Sequence, residues 1–432
     1  MTRALRAAAR AIFDSALSAG DVRPLVHRAA RDLPDPGPGR LIVVGAGKAS
    51  GAMAAALEEA LGDRVSEGLV AVKDGYLAPT RRIRLVEAGH PVPDERGAAV
   101  AREIHARVGS AGPDDLVLVL ISGGGSALIP APVPPITVAD KRVLTQLLLS
   151  AGATIGQLNA VRKHCSLLKG GQLARAAAPA QVHALLLSDV IGDPLDVIAS
   201  GPTAPDESTF PQAMGTLARF DIRDRVPDGI LDRLRSGVRG ELPETPKPGD
   251  PIFERVRNVV IGNNELVVSA AMTRARDLGY APHLVTRSIE GEAREAARRF
   301  VGLAREVGSG RGPVNPPACL IAAGETTVTV SGQGKGGRCQ EFALAAGIEM
   351  EALPGTVVLA AGTDGTDGPT GAAGAVADGE TARRIRAHGQ DPRARLDDND
   401  SYAVFAELDD LVVTGPTNTN LLDLYVALVA PA

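Results

Sequence analysis

Lys48, Lys169 and Arg338, two serines and several aspartates are the side chains whose setting in this chain points to chemistry. Ser122, Gly123, Gly124, Gly125 and Ser126 follow the apolar run Leu116–Ile121. Three consecutive residues without Cβ atoms let backbone amides crowd around an anion, a geometry suited to a phosphate. A second turn, Gly45-x-Gly47-x-x-Ser50, opens after the apolar stretch LIVV and has nearly the spacing of a dinucleotide-binding turn. Lys48 sits inside it, where a dinucleotide needs no cation and a moving phosphoryl group does. The bland alternatives are a glycine turn that only reverses the chain and a solvated lysine on it.

A third glycine-rich stretch, Gly332-x-Gly334-Lys335-Gly336-Gly337-Arg338, precedes a helical pattern. Two cations at a helix N-terminus oppose the helix dipole, and a bound anion would account for them. Asp189 and Asp193 follow one apolar run, and Asp364 and Asp367 follow another. Such positions suit Mg²⁺ held by one or two carboxylates together with substrate phosphates, or a general base, although aspartate is also a common turn residue. Asn159, Arg162 and Lys163 share a helix face that is either solvated or turned to an acidic small molecule. Asn264 opens a further strand–turn–helix unit. Gly45, Gly47, residues 122–126, Lys169 and Asn264 are the candidate nucleotide contacts; Asp189, Asp193 and Asp364 are the candidate metal ligands.

The elements that position these residues read as strands buried on both faces alternating with amphipathic helices, the pattern of parallel α/β sheets. Open sheets of this kind bind ligands beyond the carboxyl ends of their strands. The 432 residues exceed what one core holds, and proline-rich stretches near 240–251 and 309–317 divide them. ACLIAAG and TVTV read as two strands leading to the third glycine stretch. The first residues, MTRALRAAARAIFDSAL, read as a helix rather than a secretion signal. A net charge of −5 and 3% aromatic residues argue against nucleic acid, and no stretch reaches transmembrane length. Three scattered cysteines predict reduced thiols and a cytoplasmic protein. Arginine outnumbers lysine 39 to 7, yet Lys48, Lys73, Lys169 and Lys335 all lie in or beside glycine turns.

GAGKAS, EAGHPVPDE, SGGGSAL, NAVRKHCSLLKGG, SDVIGDPLDVIASGPT, GGRCQEFAL, GTDGTDGPTGAAGA and TGPTNTN resemble, in order, the motifs of the class II glycerate kinases, the glycerate 2-kinase family with its C-terminal MOFRL domain. The resemblance implies two α/β domains with Rossmann-like, largely parallel sheets and an active-site cleft between them. It implies a glycerate kinase domain over residues 1–240, a connecting α/β segment over 241–317 and a MOFRL domain over 318–432. The implied reaction is phosphorylation of D-glycerate by ATP, with Mg²⁺, to 2-phosphoglycerate. Lys48 and Arg338 take the places of the family's catalytic lysine and arginine, and Asp189 is the candidate carboxylate beside them. Cys339 and Leu421-Leu422 depart from the family pattern. A homodimer is a candidate assembly. The alternative activity is an NAD(P)H-dependent hydroxypyruvate reductase, in which Glu67 stands near the offset of a ribose-binding acid; a ligand sensor without turnover is a third reading.

Overall fold

The computed structural model describes residues 2–35, 37–351 and 353–431. The chain forms two compact units, one of residues 22–261 and one of residues 1–21 with 262–432. The contact boundary therefore falls inside the segment 241–317, and the first helix, Thr2–Ala19, belongs with the C-terminal unit.

The first unit is built on six strands in the order β3-β2-β1-β4-β5-β6. These are β1 (Leu41–Ala46), β2 (Glu67–Lys73), β3 (Ile83–Ala88), β4 (Leu116–Ile121), β5 (Gln181–Leu187) and β6 (Val256–Gly262). The pairs among β1 to β5 are parallel, and every residue of β1 and β4 is buried, as their unbroken apolar runs require. In the register of β1 and β4, Gly45 lies opposite Leu120 and Ala46 opposite Ile121. The two glycine turns therefore leave the sheet side by side at its carboxyl end. Gly45 is required there, since a Cβ would stand 2.2 Å from Leu120 O. A capping box of Thr137 and Asp140 starts the helix Val138–Ser150.

The second unit carries the strand order β11-β10-β9-β12-β8-β7. Its strands are β7 (Ala281–Ile289), β8 (Ala318–Gly324), β9 (Thr356–Gly362), β10 (Gly374–Asp378), β11 (Leu411–Val412) and β12 (Asp423–Val429). This sheet is mixed. β7 and β8 are parallel, whereas β12 lies between β8 and β9 and runs antiparallel to both. The helix Arg338–Glu349 covers one face, where Phe342 packs on Phe300 and Tyr425 at ring-centroid distances of 5.8 and 4.5 Å. The expected second strand at TVTV does not form. Beyond a single bridge of Thr327 to Glu292, the amides of the following segment donate to side chains: Ser331 and Gly332 to Asn399 Oδ1, and Gln333 to Asp398.

All three cysteines are buried, unbridged thiols. Among the described residues, no helix is long and apolar enough to cross a membrane.

Candidate functional site

Ser122 joins the two glycine turns of the first unit. Its Oγ accepts a hydrogen bond from Ala49 N at 2.9 Å and lies 3.1 Å from Ser50 Oγ, which also donates to Leu120 O. Lys48 N donates to Gly123 O at 2.8 Å, and Gly47 N to Ala71 O at 3.1 Å. The fit leaves no space for side chains. A Cβ on Gly47, which has φ +153°, would stand 2.0 Å from Ser122 Oγ, and one on Gly125 would stand 2.8 Å from Ala46 O. Part of the glycine content is thus explained by one turn packing on the other.

The rest of that content bears on a ligand. Among the described residues, no protein oxygen accepts from the amides of Gly123, Gly124 or Ser126, and Gly123 is buried. A buried residue whose amide has no partner is rare, and Gly123 with the half-buried Gly124 and Ser126 beside it fits the phosphate cradle expected from the sequence. Gly124, at φ +86°, presents its bare α-carbon to the His90 ring and to Lys48 Cγ: a Cβ there would lie 2.9 Å from His90 Cδ2 and 3.5 Å from Lys48 Cγ. The fold therefore brings Lys48, His90 and the middle of SGGGS together.

Lys169 holds this loop from beneath. It is buried, and its Nζ donates to Ser126 O (2.8 Å) and Ile129 O (3.1 Å), while Lys141 Nζ donates to Pro130 O at 2.6 Å. Burial pushes the Lys141 ammonium down to about 7 and that of Lys169 well below its usual value, with Lys141 and Arg162 adding repulsion for Lys169. The ammonium expected to contact a nucleotide is thus occupied by loop carbonyls. Ser200 Oγ donates to Asn159 Oδ1 at 3.0 Å, so Ser126 Oγ donates its own proton to Ser200 Oγ, also at 3.0 Å. Ala199, Ser200 and Gly201 all have positive φ (49°, 63° and 62°), a strained left-handed turn that aims Ser200 at this junction. Lys163 Nζ pairs with Asp196 and Asp206, both at 3.2 Å, whereas Arg162 reaches Thr145. Sequence reasoning missed Lys141, which sits in an ordinary amphipathic pattern, and did not give Ser200 a partner.

Asp189 and Asp193 follow β5 and are half-buried, and the Asp193 backbone turns at φ +54°. Asp364 follows β9 in the other unit, where its Oδ1 accepts from Thr366 N and Oγ1. Among the described residues, no three acidic, histidine or cysteine side chains converge as a metal site. Asn264 also belongs to the second unit, and its Nδ2 donates to Arg287 O at 2.7 Å.

Arg338 begins its helix within the second unit, held on one edge. Its Nε donates to Asp423 Oδ2 at 2.6 Å and its Nη2 to Asp423 Oδ1 at 2.9 Å, while Nη1 lies 3.0 Å from Glu325 Oε1. Burial disfavours the guanidinium charge, but the Asp423 carboxylate outweighs it and raises the pKa above the usual arginine value. Tyr425 OH donates to Asp423 Oδ2 at 3.2 Å, so Thr326 Oγ1, 3.1 Å away, donates to the phenol. Arg338 lines a cavity of about 480 Å³ together with Glu325, Thr326, Gly337, Glu341 and Asn399.

The expected anion at this helix N-terminus is internal. Asp367 accepts from Cys339 N (3.1 Å) and Gln340 N (2.8 Å). Burial pushes its carboxyl up to about 7 against the pull of these amides, and the Asp423 charge adds to the rise. The glycines of 332–337 are likewise required by close packing: a Cβ on Gly337 would lie 2.3 Å from Asp367 Cγ, and one on Gly334 would lie 2.4 Å from Asp400 Cβ. Lys335 Nζ lies over the Tyr402 ring, 4.9 Å from its centroid.

The structure corrects one candidate. Glu67 opens β2 instead of ending it, and it pairs with Arg40 and Arg107. Six further residues at about 3.3 Å each separate it from the ligand-binding end of the sheet, too far for a ribose contact.

Comparison with known proteins fits this geometry. Residues 8–235 match a domain of unknown function (DUF4147), and residues 318–423 match the MOFRL family. The D-glycerate 2-kinase of Thermotoga maritima is 42% identical over 391 residues, covering 90% of this chain and 91% of that protein. The chain belongs to the glycerate 2-kinase family. A crystal structure of the glycerate kinase from Thermotoga maritima superposes with a TM-score of 0.89 at 39% identity, covering 99% of this chain and all of that one. A relative from Agrobacterium vitis, 42% identical over 97% of this chain and 93% of its own length, bears the name putative hydroxypyruvate reductase. In this glycerate 2-kinase family member, Lys48 and Arg338 stand on different units, Lys48 with the paired glycine turns and Arg338 with Asp423.

Proposed function

We propose that this protein transfers the γ-phosphoryl group of ATP to the 2-hydroxyl of D-glycerate, giving 2-phosphoglycerate and ADP. The three partnerless amides of the SGGGS turn, adjoining Lys48, carry the reading: they are a phosphate cradle with a cation at its lip. In the transfer, the bond between phosphorus and the β–γ bridging oxygen breaks and a bond from the glycerate oxygen forms. The hydroxyl proton passes to a carboxylate, for which Asp189 is the candidate. Lys48 and Arg338 stabilise the charge spread over the transferred group, work that fixed cations do best where water is excluded. Asp193 or, if another group takes the proton, Asp189 would be the carboxylate that holds Mg²⁺ in this unit, and Asp364 is the alternative candidate in the other; the ion would supply positive charge to offset the phosphates. Membership in the family and the cradle together support ATP as the donor.

Phosphorus NMR of the protein with D-glycerate, ATP and Mg²⁺ tests the proposal. A new phosphomonoester signal coupled to one proton is expected. A signal split by a CH₂ group identifies the 3-phosphate and overturns the regiochemistry, and no new signal overturns the kinase reading. The reductase reading draws on the Gly45-x-Gly47-x-x-Ser50 turn and on one relative's name, but Glu67 stands at the wrong end of β2 for it. Hydroxypyruvate-dependent oxidation of NADH would favour it.

A further inference from the structure

We infer that Asp423, at the start of β12, is the positioning residue that orients Arg338 for the transferred phosphoryl group, an inference that rests on the kinase reading above. A guanidinium has five N–H donors in one plane and binds carboxylates or phosphates through pairs of them. Asp423 takes the Nε–Nη2 edge with both oxygens, at 2.6 and 2.9 Å. That grip removes rotation of the plane about the end of the side chain. The outer edge, the second hydrogen of Nη2 and those of Nη1, faces the half-exposed Glu325, whose Oε1 lies 3.0 Å from Nη1 and which a second bidentate partner has to displace. Arg338 lines the 480 Å³ cavity, and a phosphoryl group with two equatorial oxygens matches this outer edge.

The carboxylate is itself fixed. Asp423 is 1% exposed and is steadied by the chain Thr326 Oγ1 to Tyr425 OH to Asp423 Oδ2. Its backbone lies opposite Gly324 of β8 and Gly362 of β9, in the middle of the sheet. A Cβ on Gly362 would come within 3.2 Å of Asp423 Oδ1. A surface ion pair needs none of this. A charge pair with one partner fully buried and buttressed, and the other opening on a cavity, has the construction of a preorganised electrostatic clamp.

The test compares wild type, Asp423→Asn and Tyr425→Phe by steady-state phosphoryl transfer, with thermal unfolding as the check on folding. Asparagine keeps the shape but loses the charge and one acceptor. In Asp423→Asn, kcat is expected to fall at least about tenfold while the KM for ATP stays within about twofold, because the misaimed guanidinium is missed chiefly in the transition state. A purely structural role would lower the unfolding midpoint and the active fraction together, without this split in a folded sample. A folded Asp423→Asn protein with kcat within twofold of wild type overturns the inference. Should Asp423→Asn not fold, Tyr425→Phe decides: a fall in kcat of about threefold or more at unchanged KM supports the inference, and wild-type kcat overturns it. A wild-type protein without turnover fails the kinase reading instead. ADP with aluminium fluoride, which mimics the phosphoryl group in transfer, titrated calorimetrically into wild type and the folded variant then judges the clamp, and equal affinities overturn it.

Discussion

Ser122→Ala is the sharpest perturbation of the paired turns. Ser122 Oγ is the acceptor for the buried amide of Ala49 at 2.9 Å and a partner of Ser50 Oγ at 3.1 Å. The substitution leaves Ser50 bonded to Leu120 O but strands the Ala49 amide, because Gly47 and the β1 strand end close the space around it. A buried donor without an acceptor costs about 1–3 kcal/mol, so a loss of about 2 kcal/mol is expected. For a unit spanning residues 22–261, each kcal/mol moves the melting midpoint by roughly 2–4 °C, which places the shift near 4–8 °C. Differential scanning calorimetry reads that transition. Ser50→Ala is the control, since it keeps Ala49 satisfied and should cost about 1 kcal/mol or less. The turn carrying Lys48 hangs from the same bond, so the KM for ATP should rise in Ser122→Ala and much less in Ser50→Ala. A midpoint within 1 °C of wild type with unchanged KM would refute the idea that Ser122 pins one turn to the other.

Other outcomes follow from neighbouring features. Gly124→Ala forces a side chain into φ +86° and to within 2.9 Å of the His90 ring, so it should cost about 1–2 kcal/mol in urea unfolding and lower kcat/KM by displacing His90 and Lys48. Wild-type kinetics would show that this contact is idle. Lys169→Met leaves Ser126 O and Ile129 O without their donor, and a loss of about 1–3 kcal/mol with weaker ATP binding is expected by calorimetry; unchanged ATP affinity would separate the lysine from the loop's function. Lys48→Ala should lower kcat by about a hundredfold or more, and near-normal turnover would remove Lys48 from the transfer step. The Asp367 carboxyl titrates near 7 in the folded chain and near its ordinary 3.8 when unfolded. Between these values only the folded state keeps the proton, so stability falls as pH rises through that window and levels off above about 7. In Asp367→Asn that component of the slope is absent, and parallel melting profiles of the two proteins from pH 4 to 8 would contradict the raised pKa.

Much of the first unit was legible because a parallel strand buried on both faces writes itself as an unbroken apolar run ending in a turn. LIVV with GAGKAS and LVLVLI with SGGGS are such cases, and the register of β1 with β4 sets the turns together. What periodicity lacks is strand direction. Searching beyond the carboxyl ends of strands finds Asp189 and Asp364 but passes over Asp423, which opens an antiparallel strand and reaches the same sheet edge by its amino end. The offset that nominated Glu67 fails for the related reason that a residue count does not say which end of β2 it occupies. TVTV carries strand propensity, yet the amides that follow it bond to Asn399 and Asp398. The cations at 335 and 338 suggested an outside anion, whereas a carboxylate 27 residues from Gln340 in sequence supplies the helix N-terminus from within. Contacts of that separation leave no local signature.

The place of β12 in its sheet has a consequence for how the molecule is made. β8 and β9 do not pair with each other; both wait for β12, which follows them in synthesis by dozens of residues. Until it arrives, the second sheet is split into two halves with open inner edges, which expose unpaired backbone groups to other chains. The helix Thr2–Ala19, translated long before, packs on the helix Asn264–Asp277 and on β9 and β12, so its seat is complete only when β12 arrives. The unit of residues 22–261, by contrast, has all its strands at hand well before β12 is translated. Ribosome-bound chains truncated just before Asp423 should therefore hold a protease-resistant first unit beside a second that is still open to cleavage. The strand that closes the second sheet also brings Asp423 to Arg338, so assembly of the arginine clamp and completion of the fold are one event.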